Sequence, residues 1–246
     1  PYVDINNGST IPMATNGTQY ETTIVGQSDV NYIRVWNAGN QDLVHSVTSS
    51  NSTEFEVSKV DSPLSAISEN IVHVTFSPQS AGTKTSTITI NSNDADEPSY
   101  TFLVRGTGVA PEIDVRGGTG KPPIEIILDG DDTPVVRDGT LFDDEEVTGG
   151  VDTNTFRIIN QGSSALTILT GSMEVGDHFT ISGIPAAPSN EIPPRGELTF
   201  NVTFNPQWDG VHTDTVRLIN TDNDESIFDF DVQGTGLGKP TLDVRG

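Results

Sequence analysis

The chain has 246 residues, 35 acidic against 12 basic, for a formal net charge of −23, and it has no cysteine. Disulfides and thiolate metal sites are therefore excluded, and so negative a field repels nucleic acid and anionic membrane surfaces. No run of about 18 apolar residues is present, so no helix is expected to insert into a membrane.

Helical periodicity is nearly absent. Short runs rich in Val, Ile, Thr and Phe, cut by Gly, Asn, Asp and Pro, predict strands instead. In the first half they fall at roughly 2–5, 20–26, 30–37, 43–48, 54–58, 71–77, 85–92 and 99–106, the earliest pair forming two pieces of one edge strand. "NIVHVTF" sets Val72, Val74 and Phe76 on one face, and "ELTFNVTF" does the same with Phe200, Val202 and Phe204. Such alternation marks half-buried strands. Trp36 aligns with Ile159 and reads as core filling.

The second half repeats the first. "IRVWNAG" (Ile33–Gly39) returns as "FRIINQG" (Phe156–Gly162), and "VTFSPQSAG" (Val74–Gly82) as "VTFNPQWDG" (Val202–Gly210). "INSNDADEPSYTFLVRGTG" (Ile90–Gly108) returns as "INTDNDESIFDFDVQGTG" (Ile219–Gly236), with a slip in the turn, and "NGTQY" (Asn16–Tyr20) echoes in "DGTLF" (Asp138–Phe142). Asn37-x-Gly39 and Asn160-x-Gly162 carry turn chemistry. Pro78 and Pro206 stop a strand, because proline cannot donate to a ladder. Gly82 and Gly210 reverse the chain, and "GTG" is expected to end the last strand.

These features predict an all-β chain of two tandem immunoglobulin-like β-sandwich modules with about seven strands each. The expected modules are residues 1–108 and 109–238, the second with a longer acidic N-terminal segment. Residues 239–246 are expected to be the lead strand of a truncated third module. The chain starts at Pro1 without a signal peptide and reads as an excised fragment.

The combination of "NAGNQDL", "VTFSPQSAGT", "INSNDADEPSYTFLVRGTG" and "DGDDTPVVRDGTLF" resembles the choice-of-anchor D repeats of bacterial surface proteins. These are similar in turn to the wider immunoglobulin-like class of Hydin and major sperm protein. The resemblance covers nearly the whole chain and brings no catalytic residues. It implies a secreted or surface-attached modular protein, often built as long arrays. It also implies that a strand after "GTG" leads into the next module. The pattern Pro-x-apolar-acid-apolar occurs at Pro1, Pro111, Pro122 and Pro240. "PTLDVRG" (Pro240–Gly246) then opens a further module, while the doublet at 111–126 leaves open whether one copy closes the preceding sandwich.

Chemistry-bearing constellations are few. His45, His73, His178 and His212 have no counterparts in the other half, and no G-x-S-x-G motif exists. No enzymatic activity is expected. The stretch from Glu125 to Glu146 holds nine carboxylates against Arg137. Asp129, Asp131, Asp132, Asp143 and Asp144 are the candidate Ca²⁺ ligands there, since hard cations take carboxylate and loop carbonyl oxygens. No other cofactor is expected. Asp94, Asp96, Asp222 and Asp224 form a second acidic turn pair. Trp208, in "NPQWDG", is the candidate exposed anchor for a ligand such as a sugar. "GTGK" (Gly118–Lys121) lacks phosphate-loop spacing and reads as a linker. The expectation is a non-catalytic structural or adhesive module of a secreted or cell-surface protein, a stalk or protein-interaction spacer. Its partners would be neighbouring repeats of the same chain, other proteins or cell-surface glycans. The alternative is a carbohydrate- or calcium-binding surface module.

Overall fold

The alternating stretches of the sequence are strands in the computed structural model, which describes residues 3–118, 124–239 and 242–243. The protein is all-β; one 3₁₀ turn, Ala14–Asn16, is the helical element among the described residues. The chain divides into two units, Pro1–Ala110 and Pro111–Gly246.

In the first unit the strands are β1 (Gln19–Ile24), β2 (Asp29–Asn37), β3 (His45–Ser49), β4 (Phe55–Val57), β5 (Ser68–Phe76), β6 (Gly82–Ser92) and β7 (Ser99–Val109). One sheet runs β1-β7-β6-β3, with β1 parallel to β7, and the other runs β2-β5-β4. Their inward faces close over one core that includes Tyr20, Phe55, Phe76 and Phe102. Each such buried side chain contributes roughly 1.5–3 kcal/mol. The rings of Phe55 and Phe76 stack with centroids 4.7 Å apart, and Tyr20 meets Phe55 edge-on at 5.6 Å.

In the second unit the strands are β8 (Ile113–Gly117), β9 (Glu125–Ile127), β10 (Glu145–Glu146), β11 (Asp152–Asn160), β12 (Leu166–Met173) and β13 (Phe179–Ser182). They continue with β14 (Glu191–Ile192), β15 (Glu197–Phe204), β16 (Gly210–Asn220) and β17 (Ile227–Leu237). One sheet runs β10-β17-β16-β12-β14 and the other β13-β15-β11-β8-β9. The aromatic triad recurs as Phe142, Phe179 and Phe204, with Phe179 stacked on Phe204 at 4.8 Å.

Three sequence expectations are corrected. "GTG" does not end a strand; it lies inside β7 and β17. A Cβ at Gly106 would stand 2.6 Å from Phe76 Cδ1, and one at Gly108 2.7 Å from Pro78 Cβ. The glycines are therefore packing sites under an aromatic ring and a turn. Trp36 is not core filling. It is 52% exposed, because Ile33 and Val35 take the inward side of β2 and the pleat sends Trp36 outward. Residues 3–5 are not a strand, although Ile5 packs on the core and its carbonyl accepts the Tyr100 hydroxyl.

The doublet at 111–126 is an antiparallel pair. Val115 faces Ile127 and Gly117 faces Glu125, while β8 also pairs with β11. Both copies thus join the second unit's sheet. Most of "GTGK" and of Pro240–Gly246 lies outside the described residues.

Candidate interaction surfaces

Repeat positions with the same hydrogen bonds define which parts of the two units correspond. Asn7 Oδ1 accepts the Thr101 N–H, and Asp129 Oδ1 accepts the Asp229 N–H, both at 2.9 Å. Gly8 N donates to Thr101 O as Gly130 N does to Asp229 O. Ser9 bridges Phe102 as Asp131 bridges Phe230. The segment ending at Ile5 therefore corresponds to β9, which ends at Ile127. The first unit has no counterpart of β8 among the described residues.

In the second unit β8 lies between β9 and β11, with Ile113 and Val115 buried. Side-chain and loop groups receive it. Asp222 Oδ2 accepts the Ile113 N–H at 2.8 Å, Asn160 Oδ1 accepts the Glu112 N–H at 3.3 Å, and Gln161 N donates to Glu112 O at 2.8 Å. The corresponding residues of the first unit are Asp94, Asn37 and Ala38. There, β2 is the end strand of its sheet among the described residues. An opening of about 770 Å³ separates it from residues 3–6, with Asn16, Asp94 and Tyr100 also on its walls.

The outer face beside this edge is apolar in one unit only. Tyr32, Trp36 and Ile71 are 63%, 52% and 51% exposed. Tyr32 pairs across the strands with His73, ring edge to face at 4.8 Å, and Arg34 pairs with Glu69. By the ladder, Thr155, Ile159 and Thr199 hold the matching positions on β11 and β15.

The acidic candidates separate. Asp129 accepts the Asp229 N–H of β17, and Asp131 serves a turn, accepting the Thr133 N–H at 3.0 Å. Asp132 accepts the Thr133 hydroxyl, and Asp143 donates its N–H to Asp152. Asp144 lies exposed before β10. Among the described residues, the carboxylates that gather within 4.8 Å of one another are Glu112, Asp222 and Asp224. Burial pushes Asp222 up from the ordinary carboxylate value, and Asp224 adds to the rise. Burial and then the charges of Asp222 and Asp224 raise Glu112. Burial, then Asp222 and Asp129, raise Glu225. Such a group offers oxygens to a hard cation. Glu112 sits about 110 positions before its neighbours, so turn composition alone had no means of joining it to them. Asp94 and Asp96 form the matching turn of the first unit, Asp94 Oδ1 accepting the Asp96 N–H at 2.9 Å.

Trp208 is 54% exposed and belongs to a ring cluster. His178 meets it edge-on at 4.3 Å and stacks on His212 at 3.7 Å. His178 Nδ1 accepts the Gln207 N–H at 3.1 Å, and His212 Nε2 lies 2.8 Å from Trp208 O. Burial, and then the neighbouring His212, hold His178 below the ordinary histidine value.

Residues 12–100 match the family model described as "Abnormal spindle-like microcephaly-assoc'd, ASPM-SPD-2-Hydin". No curated protein matches the chain. Among solved structures, a protein of unknown function from Porphyromonas gingivalis W83 is 14% identical, over 88% of this chain and 95% of that one, with a TM-score of 0.36. The structure named BspA_C_WT is 9% identical over 93% of this chain and 96% of that one, with a TM-score of 0.37. The ASH / PapD-like domain 7 of human CEP192 is 13% identical over 53% of this chain and 89% of that one, with a TM-score of 0.31. The solved structures stand as likenesses only; the family match supports the Hydin-like class for residues 12–100.

Proposed function

We propose that the chain is a non-catalytic protein-interaction module of a secreted or cell-surface repeat protein, of the choice-of-anchor D kind, serving as a stalk or spacer. The observation that carries the reading is the first unit's β2: a strand edge with no neighbouring strand among the described residues, beside an outer face with Tyr32, Trp36 and Ile71 exposed. An exposed edge is a template for another strand, and native proteins ordinarily cover or charge it. A peptide that adds to such an edge gains main-chain hydrogen bonds from the strand and specificity from alternate side chains. Aromatic residues are the common anchors of protein interfaces. The net charge of −23 favours a soluble, self-repelling surface.

Selection from a displayed random-peptide library on the immobilised chain tests this. The expected products are extended peptides with alternating apolar residues, whose binding is lost in a Tyr32→Thr/Trp36→Thr double variant that still unfolds cooperatively. Recovery of no peptides, or of peptides that bind the variant equally, contradicts it.

One observation favours a second reading, carbohydrate binding: the exposed Trp208, held edge-on by His178. Quenching of tryptophan fluorescence by an oligosaccharide series, absent in Trp208→Ala, is its test.

A further inference from the structure

The turn before β16 and the turn before β6 are held at the same points by different chemistry. Asn205 N donates to His178 O and Ser77 N to Glu54 O, both at 2.8 Å. Gln207 N donates to His178 Nδ1 at 3.1 Å, and Gln79 N to Glu54 Oε1 at 3.2 Å. From the following strand, His212 Nε2 donates to Trp208 O at 2.8 Å and Lys84 Nζ to Ser80 Oγ at 2.7 Å. His212 faces Gly234 and Lys84 faces Gly106, so the two pairs stand at one register. Both turns press on a glycine of the last strand: a Cβ at Gly236 would lie 2.9 Å from Pro206 Cβ, and one at Gly108 2.7 Å from Pro78 Cβ.

The group that closes each clamp differs. In the first unit it is an ion pair, Lys84 Nζ to Glu54 Oε1 at 3.4 Å. In the second it is two imidazoles, His178 and His212, stacked at 3.7 Å, with Trp208 edge-on to His178 at 4.3 Å. We propose that the histidine pair is a proton-operated latch on the Trp208 turn, closed while His178 is neutral and released when His178 takes a proton at Nδ1. This goes beyond the interaction-module reading and does not depend on what Trp208 contacts.

The hydrogen bonds set both tautomers. His178 accepts at Nδ1, so its proton sits on Nε2; His212 donates from Nε2, so its lone pair sits on Nδ1. A proton on His178 Nδ1 consumes the lone pair that the Gln207 N–H uses and sets donor against donor. It also lays a positive ring on the face of His212, where the first unit places opposite charges together. The charged groups around the pair are Glu174 and Asp177 on the segment leading to β13, Asp209 in the turn and Asp214 on β16. Asp214 is engaged by the Val175, Gly176 and Thr215 N–H groups. β17 sets Gly234 opposite His212, and β10 beyond it brings Glu145 and Glu146 alongside Gly236 and Leu237. Burial, and then His212, outweigh Asp177 and Asp214 and hold His178 below the ordinary histidine value, so the latch is closed at neutral pH. Burial works against the Glu54 charge, but hydrogen bonds from Asn51, Gln79 and Lys84 hold its carboxyl below the ordinary carboxylate value. The first unit's clamp therefore keeps its carboxylate across the range in which histidine titrates.

The test is acrylamide quenching of Trp208 in the full 1–246 chain carrying Trp36→Phe, which leaves Trp208 as its one tryptophan. The quenching constant should rise about twofold between pH 7.5 and 5.0, with a midpoint below the ordinary histidine value of about 6.5. The Gln207 amide and the His178 ring resonances should move with that same midpoint, while the Gln79 amide stays in place. The double substitution His178→Glu/His212→Lys transplants the first unit's ion pair, and His178→Gln keeps an acceptor that takes no proton; in both the rise should be lost. A quenching constant indifferent to pH in the parent overturns the proposal. So does a rise that persists in either variant while it still unfolds cooperatively, since carboxylates rather than His178 would then move the turn.

Discussion

Gly234 lies directly under the ring of Phe204: a Cβ at position 234 would stand 2.6 Å from Cε1 and 2.7 Å from Cδ1. Gly106 and Phe76 repeat the arrangement, with Cδ1 at 2.6 Å. Both rings are fully buried and stacked on a second phenylalanine, so neither can yield. Gly234→Ala and Gly106→Ala should each cost about 1–3 kcal/mol by overpacking. Thermal unfolding checks this, and a melting point unchanged in both variants would refute the packing role of the motif.

Tyr20 donates its hydroxyl to Val74 O at 2.6 Å across the first core, and its own ionisation is suppressed by burial. The second unit puts Phe142 in the same place. Tyr20→Phe leaves a buried carbonyl short of a donor and should cost about 1–3 kcal/mol. Denaturant titration of the variant reads the loss as a lower midpoint at unchanged slope.

The stacked His178 and His212 predict a pH dependence. Folding lowers the His178 pKa, so the unfolded chain binds the proton more tightly. The associated stability is fully present above the ordinary histidine value of about 6.5 and is lost as pH falls through it. Melting curves at pH 7.5 and 5.5 should converge when His178→Asn is compared with the parent, the parent losing more on acidification.

Glu112, Asp222 and Glu225 shift the other way. Their folded pKa values are raised, so the folded chain holds protons that the unfolded chain releases, and stability falls as pH rises through the upper carboxylate range. Asp224→Asn removes one of the charges responsible. It should raise the melting temperature at pH 7 by an amount worth about 1 kcal/mol or less, given the exposure of Asp224. A lower melting temperature would mean that the Asp224 charge is needed, as it would be in a cation site.

Much of the sheet structure was legible because it follows from period-two alternation: Val72, Val74 and Phe76 are buried where "NIVHVTF" places them. The same alternation assigns Trp36 to the outside, and alignment with Ile159 concealed this, since an aromatic residue and an aliphatic one at a repeat position look like exchangeable core. "GTG" is ambiguous in the sequence because glycine marks both chain ends and close approach, and the Phe76 and Phe204 rings distinguish them. The likeness of "PYVDI" to both members of the doublet leaves its counterpart ambiguous in the sequence; the hydrogen bonds of Asn7 and Asp129 match the leading segment with β9 rather than β8.

Among the described residues β2 ends its sheet while β11 is covered by β8, and amide hydrogen exchange on the dilute 1–246 chain tests this difference most directly. The β2 amides that point away from β5 should exchange rapidly despite sitting mid-strand, while their counterparts on β11, covered by β8, should be protected. Equal protection of the two sets would contradict the account.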